Sequence, residues 1–207
     1  MMTEDRSTRQ RGGALRRVFD VLCSLTGLLL LSPLFCAIAL AIKFDDGGPV
    51  FFEQERVGRD FRLFRLYKFR SMFPRSDRAG FITVAADSRV TRAGRSLRRY
   101  KLDELPQLFN VLKGDMRFVG ARPEVERYVQ MFRSEYAAIL QDRPGITDPA
   151  TLAYRHEEQM FSTGPIEQQY IEQILPAKIK LSLAYQKQRS LMSDARVLLQ
   201  TVFGLFR

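Results

Sequence analysis

The sequence predicts a mostly helical α+β protein: an N-terminal re-entrant membrane helix, a β-hairpin, and amphipathic interfacial helices around one small domain. Three observations carry this. Val21–Ile42 is a 22-residue run without a charge, interrupted by Ser32-Pro33. Val50–Val57 and Phe61–Phe69 are rich in aromatic and β-branched residues and are separated by Gly58-Arg59-Asp60, the pattern of a hairpin. Downstream, apolar residues recur at helical spacing. A chain of 207 residues suits one domain with an appended segment. The boundaries read as a flexible basic start over 1–14, a broken apolar helix over 15–44, and a cytoplasmic domain over 45–207.

As a straight helix the apolar run would extend about 33 Å, close to the hydrocarbon thickness of a bilayer, so a spanning helix is the first reading. Charge argues against it. Arg6, Arg9, Arg11, Arg16 and Arg17 precede the run and a basic domain follows it, so the positive-inside tendency gives neither flank a reason to cross. Pro33 removes a helix hydrogen bond and disfavours helix at Ser32, whose hydroxyl can satisfy a freed carbonyl. A kink here lets the chain enter and leave by one face. A secretory signal is the rival reading, given the Arg-rich start and Ala37-Ile-Ala39. Against it stand the length of the run and the position of both cysteines, Cys23 and Cys36, inside it, which leaves no disulfide for a mature chain.

Gly47-Gly48-Pro49 ends the apolar helix and the hairpin follows. Residues 73–90 read as a loop with a short extended piece. Arg89, Arg92, Arg95, Arg98 and Arg99 then precede Lys101-Leu-Asp103-Glu104-Leu-Pro106-Gln107-Leu-Phe-Asn110. Pro106 marks a helix start, continued by Leu108, Phe109 and Leu112. One helix is predicted from about Val125 to Leu140, and two more over Gly164–Leu175 and Ala177–Phe206. The last carries Val197, Leu198, Val202, Phe203 and Phe206 on a face for the domain or the membrane interface.

Asp103 and Glu104 are the candidates for chemistry. Capping of the following helix explains one acidic residue there without any function. Two adjacent carboxylates behind an arginine cluster also suit a diphosphate, with a divalent cation bridging its oxygens to Asp or Glu. Arg98, Arg99 and Lys101 are expected to keep both carboxylates ionised. His156, the sole histidine, has no zinc-site spacing and reads as a polar loop residue.

The net charge of +10 implies an acidic partner: nucleotide phosphates, an anionic membrane face or nucleic acid. Trp is absent and the aromatics lie in apolar runs rather than as stacking platforms, which speaks against nucleic acid. An enzyme therefore competes with a basic membrane adaptor or nucleic-acid-binding protein without catalysis.

Taken in order, Phe19-Asp20, Ser32-Pro33, Gly48-Pro49-Val-Phe-Phe, Gln54-Glu-Arg56-Val-Gly58, Lys68-Phe-Arg-Ser-Met72, Leu102-Asp-Glu-Leu-Pro-Gln-Leu-Phe-Asn110 and Arg143-Pro-Gly-Ile-Thr147 resemble the bacterial sugar transferases, the monotopic phosphoglycosyl transferases. The resemblance runs from about residue 15 to the C-terminus and looks closest to the small single-domain members. It implies transfer of a sugar phosphate from a nucleoside diphosphate sugar, usually a UDP-sugar, to a polyprenol phosphate such as undecaprenyl phosphate, with release of UMP. That is the first membrane step of bacterial glycoconjugate assembly (exopolysaccharide, capsule, O-antigen or glycoprotein). It implies Mg2+, a location at the cytoplasmic face of the bacterial inner membrane, contact with membrane lipid and a possible homodimer. On this resemblance Asp103 is the nucleophile that forms a covalent phosphosugar intermediate, and Glu104, with Asp103, holds the metal. Lys68, Arg70, Arg98, Arg122 and Arg143 fall on positions that hold phosphate or nucleotide. The sequence departs from the family pattern at Lys101, Arg117, Ala121 and Asp148-Pro149-Ala150, which bears on nucleotide and sugar preference.

Overall fold

The computed structural model describes residues 2–73, 82–84, 87–161 and 164–204, residues 2–12 as backbone alone. Helix α1 (Met2–Leu30) takes in the basic start, so residues 2–14 form its first turns. Helix α2 (Ser32–Asp46) begins with Pro33 in its first turn, where a missing N–H costs nothing, and ends at Gly47 in the left-handed region at φ 71°. The two are bent by 60° at Leu31, and the Ser32 hydroxyl donates to the Leu29 carbonyl at 2.8 Å. Among the described residues no single helix is long and apolar enough to cross a membrane; only this bent pair passes on length and composition.

Strands β1 (Phe51–Val57) and β2 (Leu63–Phe69) form the antiparallel hairpin, with Phe52 opposite Lys68 and Arg56 opposite Phe64. Strand alternation sets Gln54, Arg56, Leu66 and Lys68 on the inward face and Arg65 toward solvent, and Arg62, just before β2, is exposed too. Met72 bridges Val90; residues 74–81 and 85–86 of the expected loop lie outside the described residues. Helix α3 (Arg92–Arg99) is capped by Thr91, whose side chain accepts from the Gly94 amide at 2.9 Å. It docks on the end of α2, where Asp45 accepts from the Ala93 amide at 2.9 Å. Gly94 packs so closely on Ser71 that a Cβ would collide with the Ser71 backbone.

A 3-10 turn, Leu102–Glu104, separates α3 from α4 (Gln107–Lys113). Pro106 is the residue before α4 rather than its first helical residue, and no side chain caps that end. Buried Asn110 pins α4 to the hairpin: its amide nitrogen donates to the Arg65 carbonyl at 2.7 Å and its oxygen accepts from the Tyr67 amide at 3.0 Å. On the other side α4 packs along α1, where Gly27 meets Leu108 at its N-terminal end and Arg17 donates to the Val111 and Leu112 carbonyls at 2.5 and 2.8 Å at its C-terminal end.

Strand β3 (Arg117–Val119) leads to α5 (Glu126–Met131) and α6 (Arg133–Ile139), then to β4 (Gly145–Thr147), which returns parallel to β3. This second sheet is absent from the sequence prediction, because two three-residue strands carry no readable alternation. The single helix expected over 125–140 is two, broken at Phe132 with ψ 41°.

The chain continues through α7 (Pro149–Ala153), α8 (Ile166–Gln169), a π-helical turn over Tyr170–Ile174, α9 (Leu175–Gln188) and α10 (Leu191–Gly204). The predicted break at Pro176 is corrected: Pro176 lies in the first turn of α9, run on from the π turn, and the real break is Arg189-Ser190. There Ser190 and Ser193 satisfy each other's backbone amides at 2.8 and 3.1 Å, a local alternative to continued helix. Phe206 lies outside the described residues. Of the remaining apolar face of α10, Val197 packs inward while Leu199, Val202 and Phe203 are exposed.

The main core gathers Tyr128, Val129, Tyr136, Tyr170, Leu175 and Ile179 from the C-terminal helices, with Val57 of the hairpin. A second cluster joins the end of the bent pair to the hairpin and α3 through Ile38, Ile42, Phe69 and Leu97. The turn carrying Asp103 and Glu104 contributes Leu102 and Leu105 to it, next to Phe35 of α2.

Candidate active site

The 3-10 turn is aimed by Lys101, which adopts a left-handed conformation at φ 55°, uncommon for a side chain other than Gly, Asn or Asp. That reversal turns Asp103 inward, to 5% exposure. Glu104 meets the Arg122 guanidinium in a two-pronged contact at 2.5 and 3.0 Å, the geometry in which arginine holds planar oxyanions most strongly. Arg122 stands just after the turn that closes β3. Lys68 reaches the same place from the inward face of β2, and its charge acts on both carboxylates.

Electrostatics split the pair. Burial opposes ionisation of Glu104, but Arg122, Lys68 and Lys101 outweigh it and hold this carboxyl well below the usual range. Burial raises Asp103, and the neighbouring Glu104 charge raises it further, against the pull of Lys68, Arg98 and Lys101. The two neighbours thus shift in opposite directions, because the Asp103 carboxyl is buried without a fork of its own. Burial also lowers Lys68 to about 8, with Glu104 opposing and Arg122 reinforcing the shift. Arg122 is raised by Glu104.

Neither carboxylate caps α4, so the capping reading fails on geometry. Asp103 Oδ1 is instead buried with no hydrogen-bond partner among the described residues, as are both amide atoms of fully buried Gln107, four residues on. An unpaired buried polar atom costs free energy, and a bound oxyanion-cation pair would recover it.

The remaining expected residues are divided. Arg98 acts electrostatically on Asp103 while pairing with Glu158, so it borders the site. Arg70 is buried and pairs with Asp46 at the end of α2; among the described residues no hydrogen bond or salt bridge ties it to the dyad. Arg143 neighbours Arg17, Arg59 and Arg117 rather than the dyad. Sequence reasoning missed the layer behind Arg122. Glu124 pairs with Arg56 at 2.8 Å and accepts from the Tyr170 hydroxyl at 2.7 Å, and Arg56 is held in turn by Gln54 at 2.6 Å. The available signal was Gln54-x-Arg56, two residues apart on the strand face that Lys68 shares from β2. A groove of about 310 Å3 on the outer hairpin face, against Glu55, Arg65, Tyr67 and Lys113, includes none of these groups.

No cluster of three or more His, Cys, Asp or Glu side chains is placed to hold a metal among the described residues. A divalent cation here would draw on the two carboxylates alone and complete its shell with substrate oxygens and water.

Two buried adjacent carboxylates, one held by an arginine fork and one with Oδ1 unpartnered, lie within the electrostatic reach of Lys68, a set of groups suited to a diphosphate and a divalent cation. Residues 11–207 match the bacterial sugar transferase family, and the chain belongs to it. It is 38% identical over 194 residues to an Aeromonas hydrophila UDP-N-acetylgalactosamine-undecaprenyl-phosphate N-acetylgalactosaminephosphotransferase, covering 91% of this chain and 43% of that protein. It is 35% identical over 185 residues to the Rhizobium meliloti exopolysaccharide production protein ExoY, covering 82% of each. With the Escherichia coli UDP-glucose:undecaprenyl-phosphate glucose-1-phosphate transferase it shares 36% identity over 198 residues, 93% of this chain and 40% of that protein. The chain thus spans less than half the length of two of these relatives and most of the third.

Proposed function

We propose that this protein transfers a sugar 1-phosphate from a UDP-sugar to undecaprenyl phosphate, in two displacements at Asp103. The observation that carries the reading is the division of labour in the dyad: Glu104 is locked by Arg122, while Asp103 is buried with Oδ1 unpartnered. In the first displacement an Asp103 oxygen attacks the sugar-linked phosphorus; the P–O bond to the nucleotide phosphate breaks and UMP leaves with the bridging oxygen. In the second, a phosphate oxygen of the acceptor attacks the same phosphorus and the Asp103 carboxylate departs. Neither step needs a proton from the protein, since both nucleophiles are already anions. Lys68, Arg98 and Arg122 hold the phosphate oxygens and offset the charge that collects on them.

Mg2+ fits this donor set. The free Asp103 oxygen and the lone pairs that Glu104 keeps beyond the Arg122 fork would ligate it, and it would supply charge neutralisation across the diphosphate.

The bent pair α1–α2 enters the cytoplasmic leaflet and returns, with Leu29, Leu30, Leu40 and Phe44 toward lipid; Leu30 is 75% and Phe44 86% exposed. Phe35 touches Phe69 and Phe109 beside the dyad turn, so the reaction occurs near the depth at which a polyprenyl phosphate presents its headgroup.

The test is UMP release from a panel of UDP-sugars by the full chain in lipid, with undecaprenyl phosphate and magnesium. Release that needs all three supports the assignment. No release with any sugar, from folded protein, would overturn it.

A further inference from the structure

The turn Arg143-Pro144-Gly145 is not used by the chemistry above, yet it is rigidly built. Gly145 lies so close to Gly120 that a Cβ would collide with the Gly120 backbone, and its amide donates to the Ala121 carbonyl at 2.9 Å. This packing holds Arg143 against a set of cations. Arg117 begins β3, opposite Gly145 in register. Arg17 is fixed by its bonds to the carbonyls at the end of α4. Arg59 is brought near by the hairpin turn, where the Asp60 amide donates to the Leu140 carbonyl at 2.9 Å.

The acids nearby are committed elsewhere. Both oxygens of Asp142 bond Arg117, at 2.7 and 3.0 Å, and one of them also bonds Arg189 at 2.7 Å; Asp20 faces Arg117 at 3.5 Å. Asp60 pairs with Arg59. Arg143 donates its backbone amide to Asp142, while its half-buried guanidinium has no partner among the described residues. Burial and the charges of Arg17, Arg59 and Arg117 all lower its affinity for its own proton. A partly desolvated guanidinium among cations recruits an oxyanion, and its fork matches phosphate. The cluster is also displaced from the dyad: α4 has Asp103 and Glu104 before one end and Arg17 at the other, with about 10 Å of helix between them.

We propose that Arg143, with Arg17 and Arg59, forms a second anion site, which binds a phosphate group apart from the transferase centre. Arg17 stands just before the uncharged run and one turn from exposed Val18, Phe19 and Leu22, at headgroup depth if α1–α2 is embedded as proposed. The ligand chemistry is a phosphate oxyanion, from an anionic lipid headgroup or from free phosphate. The lipid source rests on the membrane reading; the anion site itself does not.

The experiment is thermal unfolding of the full chain in neutral detergent, with dioctanoyl-phosphatidylglycerol, inorganic phosphate, or sodium chloride at matched ionic strength. Ligand at a hundredfold excess over Kd should raise Tm by on the order of 5 °C, and Arg143→Gln should lose most of that rise. Arg143→Lys, which keeps the charge without the fork, should retain part of it, and Arg59→Gln, at an exposed position, gives a second readout should Arg143→Gln fold poorly. A rise with phosphatidylglycerol alone assigns the site to a headgroup; an equal rise with inorganic phosphate assigns it to the free anion. Equal rises in chloride, or rises untouched by every variant, overturn the site. Turnover is not measured, so this result stands apart from the fate of the transferase reading.

Discussion

Asp103 and Glu104 are neighbours in sequence with opposite electrostatic fates, so their variants should fail differently. Asp103→Asn keeps size and burial but removes the nucleophile; turnover should fall by several orders of magnitude. Withholding the acceptor lipid from wild-type protein should add the mass of one sugar phosphate to the peptide containing Asp103, and Asp103→Asn should show none. Ordered kinetics with no adduct during turnover would make Asp103 a base or ligand instead. Lys68 yields a pH prediction in two parts. Its folded value of about 8 lies below the 10.5 of a free lysine, so between these values the unfolded chain binds more protons and the Lys68 contribution to stability rises with pH. Activity should move the other way: it should decline above about pH 8 as the ammonium that faces the phosphates is lost. Lys68→Arg should remove that alkaline decline, which a pH–rate profile measures.

At the scale of elements, the break at Leu31 decides how α1–α2 can sit in a bilayer. Pro33 costs roughly 3 kcal/mol in a continuous helix, and Ser32 stabilises the bend by its bond to the Leu29 carbonyl. Pro33→Leu should therefore shift a fraction of molecules from re-entrant to spanning. Single cysteines near residues 8 and 46, in a background lacking Cys23 and Cys36, read this by labelling from each side. Residues labelled on opposite sides in the wild-type chain would refute the re-entrant reading. The 3-10 turn before α4 shows the same logic on a smaller scale: left-handed Lys101 and the Asn110 clamp on the hairpin place the dyad, so α4 serves as a rigid mount.

For the molecule as a whole, one network ties chain segments far apart in sequence. Asp20 of α1, Arg117 of β3, Asp142 and Arg189 before α10 are joined by salt bridges, and Arg189 also donates to the Val119 carbonyl at 2.5 Å. Arg117 departs from the family pattern, and here it links the apolar helix to the domain. Without the Asp142 carboxylate Arg117 keeps only Asp20 at 3.5 Å and Arg189 keeps Asp194, so Asp142→Asn, which loses charge-assisted hydrogen bonds at a part-exposed carboxylate, should destabilise the fold by about 2 kcal/mol. The measurement is denaturant unfolding in detergent, and an unchanged midpoint would show that the network contributes nothing net.

The bent apolar helix, the hairpin and the dyad were legible in the sequence because each is a local pattern: a charge-free run with one proline, two β-rich runs around Gly58-Arg59-Asp60, and adjacent carboxylates before an amphipathic helix. The family followed from the order of such patterns. What escaped was set by contacts between distant residues. The β3–β4 pair joins short strands separated by two helices, and at the C-terminal break, where Ser190 and Ser193 end the helix locally, the Arg189 guanidinium is held by Asp142 and the Val119 carbonyl from far back in the chain. The arginines divide for the same reason. In sequence Arg70, Arg98, Arg122 and Arg143 are equivalent cations, and only the tertiary structure gives Arg70 to Asp46, Arg122 to Glu104, and leaves Arg143 among its own kind. Residue type decides what charge is present, but a carboxylate's partner and its desolvation depend on which chain segments fold against it.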